Sequence, residues 1–468
     1  MKRLLIPFCV WLLLFSYSWR SDRCFCAQAP AGKAQESVPP ASSTADATNP
    51  MASLLKSPDE KLRARAARDL GSAQDRSAIP ALAEALSDPS EKVRREVVLA
   101  LAQMHATAAL DALVKATQDS SEEIRVLAVQ SLVGYYTGSV PSPGIAGYMK
   151  KTWEHAKEHF TPDNTRVDPG LQVDPKVVDA LRAALNSTRS NRTSREAAKG
   201  LGILGARAAV PDLVKAAHAS VSILSLEALT ALDKIEDRSA GPQLVDLLDS
   251  PNKEVREEAC VTVGILRTRQ AEAKLQFLFQ HASDPRSEEK ALEGLAYLGG
   301  SSSVPLFTQS LGSADKTERA CAAEGLARAG NTKVVPDLEQ ALAAEKDAEV
   351  KLAIQFALTA LGKLDQLSEL VSALSSKRAD IAQPYLIELT RSPAFLPRLY
   401  PYLQSSVPEV RKRLCIVLMF SGDATSLDQL DRLSHDPDPD VAAQALRAKQ
   451  AIRTRLQAAG TTPVAGVR

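Results

Sequence analysis

Three sets of residues have types and spacings that suggest chemistry. The first is His155-Ala-Lys-Glu158-His159. It matches H-x-x-E-H, the spacing of an inverted zinc-protease signature, and two histidines four apart on a helix can share a metal. A helix over 144–160 would carry them, and its period places Met149, Trp153, Ala156 and Phe160 on one apolar face. Glu158 then points nearly opposite that face and both histidines flank it, so all three are expected to be solvated. A protease of that class also needs a large α/β fold and a distant third ligand, and neither is visible. The spacing therefore reads as coincidence, and no metal or cofactor is expected.

The second set is the cysteines. Only Cys260, Cys321 and Cys415 lie beyond the first 29 residues. Cys260 and Cys415 fall at equivalent points of a repeating pattern, five repeats apart. Stacked helices lie ~8–10 Å from one another, too far for the ~5.5–6 Å between α-carbons that a disulfide wants. They read as buried thiols acting as small apolar groups. The third set is a row of bases: Arg63, Arg94, Arg125, Arg256, Arg319, Lys351 and Arg411. Such a row is either a ligand-binding ladder or a set of bridges between repeats, and the bridging role is favoured. No G-x-S-x-G, Walker loop, mature C-x-x-C or Rossmann fingerprint is present, so no catalytic residue is named.

These residues are positioned by a repeat. The stretch 87–117 reads as two short helices, with Asp88 as N-cap, Pro89 at the first helical position and Val93 as an apolar anchor. Anchors recur at Leu62, Val93, Ile124, Thr193, Val221, Val255, Ser287, Glu318, Val350, Ile381, Val410 and Val441, most often 31 apart. Each basic residue of the row follows an anchor. Eight residues after most anchors comes leucine, as at Leu70, Leu101 and Leu132, and four after is often alanine, as at Ala66 and Ala128. Proline opens a second helix at Pro80, Pro211, Pro305 and Pro336. One such hairpin cannot bury its apolar faces alone, so copies must stack.

The D-P-x-x-x-V-R of Asp88 to Arg94 and the V-P-D-L of Val210 to Leu213 resemble the HEAT family, in its short bacterial, phycobilisome-lyase-type form. The resemblance covers about 51–456, with one insert. It implies an all-α, right-handed α-solenoid (an α-α superhelix) of about twelve HEAT-like hairpins, with Asp and Arg ladders between repeats. For function it implies a scaffold that binds protein or peptide partners. The family also includes enzymes, and two alternatives follow: a metal-dependent oxidoreductase related to deoxyhypusine hydroxylase, or a bilin-lyase-like protein. The hydroxylase binds iron through His-Glu pairs. This chain has no His-Glu dipeptide, only Glu154-His155 and Glu158-His159, and no lyase residue can be carried over. A non-enzyme is favoured, and enzymatic activity stays open as the alternative.

The ends and the insert complete the plan. Residues 1–29 read as a signal peptide, with Lys2 and Arg3 before the apolar run 4–19 and Ala27-Gln28-Ala29 as cleavage site. The expectation is a periplasmic or secreted protein, the alternative a membrane anchor through 4–19. Residues 30–50 are a disordered linker, 51–136 an N-terminal repeat block, 137–175 an insert with one helix, 176–456 a C-terminal block and 457–468 a disordered tail. The insert carries Tyr148, Trp153 and Phe160, the candidates for contact with a partner. Net charge is +1 over 468 residues, of which the first 29 carry +3. A body so close to neutral excludes an overall electrostatic footprint for nucleic acid.

Overall fold

The computed structural model describes residues 50–140 and 166–461. Among them every regular element is helical. A short α1 (Pro50–Ser53) precedes the stack. The first helices of successive hairpins are α2 (Glu60–Ser72), α4 (Glu91–Gln103), α6 (Glu122–Thr137), α8 (Asn191–Ile203), α10 (Ser222–Ile235), α11 (Lys253–Ile265), α13 (Pro285–Leu298), α15 (Lys316–Ala329), α17 (Ala348–Ala360), α19 (Ala379–Thr390), α21 (Pro408–Ser421) and α23 (Pro439–Thr461). Each packs on the next. The second helices are α3 (Ile79–Ala85), α5 (Leu110–Ala116), α7 (Pro175–Leu185), α9 (Val210–Ala217), α12 (Glu272–Gln280), α14 (Val304–Ser310), α16 (Val335–Ala344), α18 (Leu367–Ser372), α20 (Leu396–Leu399) and α22 (Ser426–Leu433). In the fifth hairpin a 3-10 segment, Gly241–Asp249, takes that place. The described residues thus form an all-α solenoid of eleven hairpins followed by a twelfth first helix.

The repeat positions explain the packing. Every leucine or valine eight after an anchor is buried, from Leu70 to Leu418, and so is every alanine four after. The prolines expected to open second helices sit in the first turns of α3, α9, α14 and α16, where the missing N–H costs nothing. Small residues let first helices touch: a Cβ on Gly264 of α11 would meet the Gly294 carbonyl oxygen of α13 at 2.3 Å. Leu62, the first anchor, is instead exposed; among the described residues only α1 and a single 3-10 turn precede its helix.

Two readings change in detail, and the turn adds a feature of its own. Asp88 does not cap α4. Ser90 does, its hydroxyl accepting the Val93 N–H, while Asp88 turns to Arg63 and the Ser90 N–H. In seven hairpins the turn holds a left-handed residue twelve after the anchor. Gly205, Gly299, Gly330 and Gly362 supply it, but Gln74, His105 and Arg267 adopt it too, at a cost for a residue with a Cβ. Finally, the interval 137–175 interrupts a hairpin. Helix α7, which follows it, packs on α5 and α8 and so is the second helix of the hairpin that α6 begins.

The end of that interval threads back into the stack. Val167 N–H bonds the Ile203 carbonyl, and the Asp174 N–H bonds the Tyr136 hydroxyl. Arg166 pairs with Glu236 after α10, and Asp168 with Arg447 of α23.

Candidate partner-binding groove

Four of the seven bases in the row form the bridges expected of it. In four hairpins the guanidinium is gripped on both edges. Arg63 takes Asp88 at 2.6 and 3.0 Å, Arg94 takes Asp119 at 2.8 and 2.9 Å, Arg319 takes Glu345 at 2.7 and 3.1 Å, and Arg411 takes Asp436 at 2.7 Å twice. The acid always stands just before the next first helix. The same arginines donate a third bond to the carbonyl six residues back, at Ser57, Asp88, Ser313 and Ser405. The hydrogen bonds from Arg319 hold the Glu345 carboxyl down at about 2. Burial opposes the charge on Asp88 and Asp119, but the arginine bonds outweigh it and both are held below the usual carboxylate range.

A second network joins hairpins distant in sequence. Arg328 of α15, its side chain 6% exposed, pairs with Glu388 of α19 and Glu324, and lies 4.8 Å over the Tyr297 ring. Arg267 reaches the same Glu388, Tyr385 donates to Glu324 at 2.6 Å, and Arg391 pairs with Glu236. The C-terminal ends of α10, α11, α15 and α19 therefore meet at one hub. Burial, then repulsion from Glu258, pushes the Asp233 carboxyl there well above the usual range. Burial drives the Cys321 thiol well up and those of Cys260 and Cys415 up to about 12, so none is an activated nucleophile. Among the described residues no group of three or more His, Cys, Asp or Glu is placed to hold a metal.

The family model for HEAT repeats matches residues 48–133, 222–296 and 276–359, and that for the PBS lyase HEAT-like repeat matches 195–218. The chain is a HEAT-repeat protein. Among solved structures it is similar to the crystal structure of an engineered protein, at 19% identity over 86% of this chain and 98% of that one, with a TM-score of 0.37. It is also similar to the complex of CpcE and CpcF of phycocyanin lyase from Nostoc sp. PCC7120, at 22% identity over 60% of this chain and 94% of that one, with a TM-score of 0.34. No curated protein matches it.

In this HEAT-repeat protein the rung forms, among the described residues, in hairpins one, two, eight and eleven; it is absent at hairpins six and seven, where a groove opens. A cavity of about 780 Å³ lies between α12 and α14. Gln276, Gln280 and Gln309 line it with Phe279, Leu306 and Pro305, and Glu288 and Glu318 stand at one end. The cause is local. Helix α12 fully buries only Leu275, and α14 only Phe307 and Ser310, so Phe279 and Leu306 are left lining the gap with the glutamines. Gln276 is held by the Ser302 and Ser303 hydroxyls. The side-chain amides of Gln280 and Gln309 bond no described residue, and each offers both donors and an acceptor. Beside the groove Phe277 is 51% exposed, its ring 4.2 Å from that of His281. Burial, then repulsion from Glu318 and Asp315, raises the Glu288 carboxyl.

Tyr148, Trp153 and Phe160, with His155, Glu158 and His159, lie outside the described residues. The groove residues were not singled out from sequence, although a signal was there. Ser287 and Glu318 are polar anchors in a row of mostly apolar ones, and Glu288 stands where the row carries a base.

Proposed function

We propose that this HEAT-repeat protein is a non-catalytic binding scaffold, exported to the cell envelope, that holds an extended segment of a protein partner in the groove between α12 and α14. The groove carries the reading. Its volume, about 780 Å³, lies within the range of ligand sites. Its lining is amides, hydroxyls and apolar side chains, suited to a peptide backbone with alternating side chains, and no reactive group converges on it. Export is supported by the basic start, the apolar run 4–19 and the small-residue site at 27–29. Among the described residues no helix is long and apolar enough to cross a membrane.

The test is capture from envelope fractions with the full mature chain and with Gln280→Arg/Gln309→Arg, which fills the groove with two bulky cations. A partner held by the wild type and lost by the variant, with unchanged circular dichroism, is expected. Identical capture by both would overturn the groove as the site. Protein purified from the native host is expected to begin near Ala27–Pro30. An intact mass that includes residues 1–20 would show the anchored form instead.

A further inference from the structure

We propose that two adjacent broken rungs of the ladder, Arg256 and Glu288, receive the two charges of the bound segment: an acidic side chain on Arg256 and a basic one on Glu288. This rests on the reading of the groove as a peptide site, and it names the sequence feature that the site selects.

Arg256 is half of a rung. Its Nη1 donates to the Ser250 carbonyl at 2.6 Å, the same six-back bond that fixes the other ladder arginines. The acid of the next hairpin should stand five residues before the next anchor, where Asp88, Asp119, Glu345 and Asp436 stand elsewhere. Here that residue is Ala282. A pocket of about 80 Å³ lies beside Arg256, lined by Leu278, His281, Ala282, Ser283 and Ser287, with Glu257 and Cys260 at its base. The acids already nearby are engaged. Glu257 pairs with Lys253 and Arg286 and accepts from Ser287, and Asp284 pairs with Lys253. No described carboxylate bonds Arg256. The guanidinium is thus pre-organised for a carboxylate that no described residue supplies, and pre-organisation is what makes a bidentate grip cheap to form.

One other arginine lacks its acid. Opposite Arg125 stands Thr188, but that guanidinium is 6% exposed and its Nε is closed from solvent. Of the two, Arg256 is the one that lines a pocket.

The next rung is reversed. Where the ladder has an arginine, hairpin seven has Glu288, and the residue facing it in register is Ser313. Its charged neighbours Glu318 and Asp315 have the same sign. The nearest bases in sequence are committed elsewhere, Arg286 to Glu257 and Lys290 to Glu293. Glu288 lines the end of the large groove, so a cation arriving there also lies on the path of the bound backbone.

The spacing narrows the ligand. Rungs on neighbouring first helices are ~8–10 Å apart. A polyproline II segment returns to the same face every three residues, after about 9 Å. The feature is therefore an acid and a base three residues apart in an extended segment. A free amino acid is too short to touch both rungs.

Fluorescein-labelled nonapeptides in a proline-rich background test this by polarisation on the full mature chain. One carries Glu-x-x-Arg, one Arg-x-x-Glu, since either chain direction is open, and one Gln-x-x-Gln. At least one charged peptide is expected to bind tenfold or more tightly than the neutral one. Ala282→Asp, which gives Arg256 its own carboxylate, is expected to raise the melting temperature, to remove the contribution of the peptide acid and to leave the neutral peptide unchanged. Glu288→Gln is expected to remove the contribution of the base alone. Equal binding of charged and neutral peptides overturns the rung proposal while the groove reading stands. Binding of none overturns both. A variant that weakens the neutral peptide as much as the charged one also overturns the rung proposal.

Discussion

Arg94 shows what the ladder is worth at the scale of a residue. Its side chain is 11% exposed and that of Asp119 8%, so this is no surface pair. Removing one partner of such a pair strands the other, at about 3–5 kcal/mol, comparable with the ~2–5 kcal/mol of Leu101→Ala. Arg94→Ala and Leu101→Ala are therefore expected to lower the urea midpoint to a similar extent; an Arg94 effect under 1 kcal/mol would mean the rung is slack. The acids also predict opposite pH responses. Glu345 is depressed to about 2, so its contribution is complete above its unfolded value of about 4.3 and is lost as pH falls towards 2. Glu345→Gln should thus destabilise at pH 7 and much less near pH 2. Asp233 is raised, so its unfolded form ionises first and stability is lost as pH rises above about 3.9. Asp233→Asn is expected to match the wild type near pH 3 and to exceed it at pH 7, and urea titrations at the two values check both signs.

At the scale of the element, the turn between the two helices of seven hairpins holds one left-handed residue. Gly330 meets the demand with φ 68° and open space around it, so Gly330→Ala meets only backbone strain. Its expected cost is about 1–2 kcal/mol. His105, at φ 42°, should gain by His105→Gly, measured as a rise in melting temperature; a fall would show that its stacking with Tyr135 outweighs the strain. Arg267 holds the same conformation, and its side chain is committed to Glu388 and the Tyr297 carbonyl. The atypical tenth hairpin is also legible as an element: Pro384 lies inside α19, and its second helix is a short α20 continued by a 3-10 turn.

At the scale of the molecule, a solenoid whose repeats touch only their neighbours should unfold as a sum of local terms. The hub breaks that rule, because Glu388 ties hairpin ten to hairpins six and eight, and Glu236 ties hairpin five to Arg391. Glu388→Gln leaves Arg328 and Arg267 without that carboxylate. Calorimetry is expected to show the wild-type transition broaden or divide as distant hairpins uncouple; an unchanged single transition would show that the hub carries no coupling.

The sequence by itself determined the elements and their stacking. A period near 31 with apolar residues at fixed offsets leaves no other way to bury those faces, and the ladder arginines follow from the same register. It also marked the groove, through polar anchors at Ser287 and Glu318 and the inverted Glu288. That mark went unread, because a polar anchor is equally at home buried: Thr193 is 1% exposed. The groove and the hub were decided by tertiary structure alone. Whether α12 and α14 close on each other depends on the bulk both helices present, and the meeting of Arg391 with Glu236, 155 residues apart, depends on rotation summed over five hairpins. A pattern local to one repeat fixes the contact with the next repeat, and the geometry that accumulates along the stack is set by small differences in packing at each interface.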